Sequence, residues 1–286
     1  FSFFLFATFP FDAVRQRLET EAGRAGYTLR VGSLGPAFFG VTASRLQLSP
    51  AAGGDAAEPL LVPSVTLRPS LFPPGASFHA KAFGGRVSGS VSAAGDALDV
   101  EFSGLDPAQG NIRGFTGVDL AGRIGGRARL SLPRATAPGS KAKAPDLSRA
   151  DGIISLEGSG LSVNGGNVTM PLMGQPTPVD LPKVVLGNLQ ARITFVKGLG
   201  TLEVFQAKGS DLDISASGTL KLARKIDYSE PNVDVKIKAD PEFVKRLGLL
   251  GSGLSLLPAD RSDPGQKVAK ITGYLGKPRF APGARN

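Results

Sequence analysis

After Pro10 the apolar positions Val14, Leu18, Ala22 and Ala25 recur at three- and four-residue intervals, while Arg15, Arg17, Glu19, Glu21 and Arg24 take the opposite side. That is the period of one amphipathic helix. Asp12 is placed to cap it, and Gly23 or Gly26 to end it. From Tyr27 the period falls to two. Leu29 and Val31 alternate with Thr28 and Arg30, followed by Val41 and Ala43 and then, past an irregularity, by Leu46 and Leu48. The same alternation returns at Phe78, Ala80 and Ala82, at Leu98, Val100 and Phe102, and from Ile124 to Leu132, with turn signals at Gly84-Gly85 and Gly95-Asp96 between them. Such segments predict strands that are half buried and wet on one face.

Beyond position 150 the alternation is cleaner. Leu189, Ala191, Ile193 and Phe195 fall on one face, then Leu202 and Val204, then Leu212, Ile214 and Ala216, and finally Val233, Val235, Ile237 and Ala239. Antiparallel pairing of consecutive strands would join these into one apolar surface. The other face would carry Asp211, Asp213, Ser215 and Ser217 on one strand and Asp234, Lys236 and Lys238 on another. Asp240-Pro241-Glu242 then predicts a helix near 241–254, with Phe243, Leu247, Leu250 and Leu254 as its stripe and Gly248, Gly251 and Gly253 weakening it. A last strand near Val268 to Leu275 precedes a Pro-rich tail.

The fold class expected is mainly β: an elongated, twisted antiparallel sheet or partly open β-barrel with a short N-terminal helix and a short helix near the C-terminus. Residues 1–9 contain Phe3, Phe4, Leu5, Phe6 and Phe9 and read as the outer end of a transmembrane anchor, far short of the roughly 20 residues a span needs. Residues 10–132 form a helix and a first β half. Residues 133–150, rich in Pro, Ala and Ser, read as a flexible loop or linker, and 151–286 as a second β half.

Composition supports short strands and tight turns, with 38 Gly and 22 Pro in 286 residues and no Trp. The net charge of +9 suits an anionic surface, but the basic residues rarely alternate with aromatics, so nucleic acid is not expected as a partner. With no Cys there is neither a disulfide framework nor a thiolate site. His79 is the only histidine, which rules out a His-rich zinc site, and no G-x-S-x-G elbow accompanies it. Asp211 and Asp213 invite a test for calcium or glycosidase chemistry, although a spacing of two is what strand alternation produces. The glycines from Gly158 to Gly166 lack the Lys and Ser or Thr of a phosphate loop. No catalytic residue, metal or cofactor is expected.

The segment GNLQARITFVKGLGTLEVFQAKGSDLDISASGTLKLARKIDYSEPNVDVKIKAD resembles the carboxyl-terminal half of type II secretion protein N. AKITGYLGKPRFAP is similar to that family's final strand, and FPFDAVRQRLETEAGRAGYTLRVGSLGPAFFGVTASRLQL to its membrane-exit helix and first strands. The broader AsmA-like group of bacterial envelope proteins uses a similar order of elements. The resemblance implies an inner-membrane anchor with most of the chain in the periplasm. Its implied role is non-enzymatic: assembly of a type II secretion system through contacts with its other components. The alternative is lipid binding or transfer on an apolar face built from Leu189, Ile193, Phe195, Leu202, Val204, Leu212, Ile214, Val233, Val235 and Ile237. Phospholipid and a homo-oligomer stay open as partners.

Overall fold

The computed structural model describes residues 11–24, 26–50, 58–113, 118–136, 143–172 and 175–283. Helix α1 (Phe11–Arg24) leads into β1 (Tyr27–Ala37), β2 (Gly40–Pro50), β3 (Leu60–Leu71), β4 (Pro74–Ala82), β5 (Gly85–Ser92), β6 (Ala97–Leu105) and β7 (Val118–Ser131). A small ribbon of β8 (Arg134–Thr136) and β9 (Lys143–Pro145) follows. The chain resumes with β10 (Asp151–Leu172), β11 (Gln175–Leu181), β12 (Val184–Val196), β13 (Leu199–Lys208), β14 (Leu212–Lys221) and β15 (Glu230–Ala239). Helices α2 (Pro241–Arg246) and α3 (Leu249–Ser255) then precede β16 (Lys267–Tyr274) and β17 (Lys277–Pro282).

Apart from the ribbon, the described strands form one 15-stranded antiparallel sheet that meanders in chain order from β1 to β17. It stays open and does not close into a barrel. The two β halves are one sheet, because β7 pairs along its whole length with residues 151–166 of β10. β10 is 22 residues long, and its return strand is split: β12 pairs with its first part and β11 with the rest. Between them lies Pro182, which has no N–H to give to a ladder.

Antiparallel order assigns every connection to one of two ends. One, the helix end, carries α1, which packs on β1, together with α2 and α3. The other, the hairpin end, carries the β1–β2, β3–β4, β5–β6, β12–β13 and β16–β17 turns.

Several expectations are corrected by the backbone. Asp12 lies in the first turn of α1 rather than capping it. The helix expected over 241–254 is two helices, broken where Gly248 takes φ +56°. Its cap is as expected, the Asp240 carboxylate accepting from Glu242 N at 2.9 Å and Phe243 N at 3.1 Å. The Pro-rich tail is a further strand, β17, at an edge where missing N–H groups cost no ladder bond. The 133–150 segment is not a free linker throughout, since Asp146 and Ala150 are buried beside a short 3-10 turn. The apolar residues Phe3, Phe4, Leu5, Phe6 and Phe9 lie outside the described residues.

The sheet is bent by bulges. Extra residues shift the register in β6 near Gly104, in β10 near Gly160 and in β12 near Gly187, and all three glycines have positive φ. The irregularity expected before Leu46 is Arg45, held at φ +55°, and it brings Ala43 and Leu46 into one buried cluster with Val31. A second cluster forms at the hairpin end from Ala150, Phe195 and Leu222, whose loops are tied by Gly198 N to Ala150 O and Leu222 N to Gly198 O, each 2.8 Å. These cores are small. The accessible surface is 17830 Å², against roughly 11,500 Å² for a compact globule of this mass.

Candidate functional site: a continuous apolar face

One register row crosses fourteen strands from edge to edge without a polar residue. It runs Pro36–Val41–Leu67–Phe78–Gly89–Val100–Ala128 through the first half. It continues as Ile154–Ile193–Leu202–Gly218–Val233–Ile271–Phe280 to the far edge. Two residues along each strand, or three on β13, and on the same face, Leu34, Ala43, Val65, Ala80, Val87, Phe102, Gly126, Leu156, Ala191 and Phe205 form another apolar row. Two of the three glycines in these rows, Gly89 and Gly126, are covered by rings. A Cβ at Gly89 would stand 2.7 Å from the Phe78 ring, and one at Gly126 2.8 Å from the Phe102 ring.

Most of this face is half buried. No second sheet lies on it among the described residues, where the only other strands are the β8–β9 ribbon. In the second half it holds an open cavity of about 390 Å³ with Ile193, Leu202, Phe205, Val235 and Ile271 in its wall and Pro278 of β17 at its far side. Laid flat, β12 and β17 would be about 24 Å apart, so a cavity touching both shows that the sheet curls around it.

Nine of the ten expected face residues lie on this face: Leu189, Ile193, Phe195, Leu202, Leu212, Ile214, Val233, Val235 and Ile237. Val204 does not. It stands opposite Arg192 and is 39% exposed. A bulge at Glu203 shifts the register between the Arg192 and Ile193 pairs, and Phe205 takes the inward place instead. Ile154, Leu156 and Ile271, which complete the rows, had no part in the expected site, and their two-residue spacing to apolar neighbours was the available signal.

The opposite face is polar over most of its area. Thr66, His79, Ser88, Glu101, Arg127, Ser155 and Arg192 follow one another across seven strands. His79 is therefore a solvent-side residue of β4. Nearby, Arg127 Nη2 and Nε donate to Asp99 at 2.8 and 3.1 Å, and Arg129 Nε donates to it at 3.1 Å. Arg127 is the main cause that holds the Asp99 carboxyl below the usual range, and Asp99 in turn raises Arg127.

Asp211 and Asp213 do not form a carboxylate pair. Asp211 is buried in the β13–β14 turn, accepting from Val185 N at 2.7 Å and Arg246 Nη2 at 2.8 Å, which fastens α2 to the sheet. Asp213 is exposed on β14 opposite Lys238. The loop after α3 is fastened likewise, Lys236 donating to Asp260 and Lys238 to Asp263, so both carboxyls are lowered chiefly by their lysines. No group of three metal-binding side chains occurs among the described residues. Nor is any described helix long and apolar enough to cross a membrane.

Compared with protein-family models, with curated proteins and with solved structures, the chain matches none of them.

Proposed function

We propose that the protein is a non-enzymatic component of the bacterial cell envelope that shelters the acyl chains of lipid on the apolar face of its sheet. The resemblance of its ends to inner-membrane-anchored envelope proteins suggests that it is held at the inner membrane with most of the chain in the periplasm. One observation carries the reading: the apolar row is continuous over fourteen strands and is not covered by a second layer among the described residues. A face of that extent left to water is unfavourable and normally marks a binding surface. Acyl chains fit it because they offer only apolar contact, and the rows offer no hydrogen-bonding side chain in return. The polar face opposite supplies solubility.

Purification in mild detergent followed by mass spectrometry of bound lipid tests this. The wild type is expected to carry lipid in at least molar proportion, and Ile193→Asp with Val233→Asp to carry about tenfold less while keeping its β-sheet circular dichroism. A lipid-free wild type would end the proposal.

A second reading, a component that helps to assemble a type II secretion system, draws support from the sheet edges. β17 is guarded by Lys277, Pro278, Arg279 and Pro282, whereas the eleven-residue β1 has a partner strand on one side only. A strand from another component could add there. Pull-down of secretion-system proteins without lipid would favour this role over the first.

A further inference from the structure

We propose that the hairpin end of the sheet, led by the β1–β2 and β3–β4 tips, inserts into an anionic lipid surface. This goes beyond acyl-chain shelter and can fail independently of it. Phe38 and Phe39 are 80% and 72% exposed at the first tip, and Leu71 and Phe72 are 79% and 94% exposed at the second. The Phe38 and Phe39 rings meet edge to face at 4.6 Å instead of folding back onto the sheet. Because Val41 pairs with Leu67, the Phe38-Phe39 tip comes level with Pro69 and Ser70, within about 10 Å of the neighbouring tip along the strand. The four side chains thus form a single apolar knuckle.

The feature belongs to one end. Val196, Ile226, Tyr228 and Leu275 are also exposed on hairpin-end turns, whereas at the helix end the described large apolar residues that are similarly exposed are Tyr27, Leu61 and Leu256. Charge accompanies it. Arg68 runs beside Gly40 directly below the Phe pair, and Lys197, Lys221, Lys225, Lys277 and Arg279 are exposed on the same end against exposed Asp227 and Glu230. Aromatic tips flanked by unburied cations match the depth profile of an anionic membrane interface, with rings among the upper acyl chains and cations at the phosphates.

The chain contains no Trp, so one introduced indole reports on one position. Full-length Phe72→Trp is titrated with vesicles of phosphatidylglycerol and phosphatidylcholine, with brominated acyl chains as quencher, beside Val204→Trp on the polar face as control. The indole of the Phe72→Trp protein is expected to shift to the blue and to be quenched, at about tenfold less lipid than with phosphatidylcholine alone. Adding Phe38→Asp and Phe39→Asp should raise the lipid required by about tenfold, while the indole of the Val204→Trp control stays unshifted. An unshifted indole in the tip variant, a shift indifferent to phosphatidylglycerol or to the two Asp substitutions, or an equal shift in the control overturns the proposal, including when the protein sediments with the vesicles through another part.

Discussion

Asp211 shows how much one side chain can organise here. Its two oxygens hold the Val185 amide and the Arg246 guanidinium, so removal strands a donor at the start of β12 and unfastens α2. Asp211→Ala should cost about 1 to 3 kcal/mol, the penalty for leaving such groups unpaired, read from the urea midpoint. No change would mean that water replaces the carboxylate without loss. Asp146 makes a pH prediction. Ser148 is the main cause that lowers its carboxyl, with Arg224 adding to it. A folded value below the unfolded one gives stability that is complete above the unfolded range, near 3.9, and lost as pH falls through the folded value. Wild type should therefore lose stability more steeply than Asp146→Asn between about pH 5 and pH 2. Parallel pH profiles of the two proteins would contradict this.

At the scale of elements, β13 separates what the sequence displays from what it hides. Strict alternation puts Leu202 and Val204 on one face, yet they lie on opposite faces because Glu203 is bulged. Val204→Arg should be within about 0.5 kcal/mol of wild type as a surface change, and Leu202→Arg should destabilise by several times that. Equal costs in urea denaturation would return both to one face. The period-two segments, the α2 cap at Asp240 and the irregularity before Leu46 were legible because each rests on local spacing or a local hydrogen bond. The bulge that redirects Val204 and those that bend β10 and β12 were not, because they depend on pairing with distant strands. Asp211 was misplaced for a related reason. Read by spacing it belongs with Asp213, but the turn before β14 buries it under Arg246, a partner 35 residues away.

At the scale of the whole molecule, the sheet never closes and its apolar face is never fully covered within the described chain. The surface buried on folding is correspondingly about four-fifths of that of a compact globule of equal mass, so the urea m-value should fall short by a similar fraction. An m-value typical of a compact protein of this length would point to a closed core. The central claim, lipid on the continuous apolar row, is tested most directly by photocrosslinking in living bacteria. A benzophenone amino acid is placed singly at Val100 and Leu202 on the row and at Glu101 and Val204 on the other face, and the adducts are read by mass spectrometry. The account predicts phospholipid adducts at Val100 and Leu202 and none at Glu101 and Val204. Adducts absent from the row, or equal at all these sites, would contradict it.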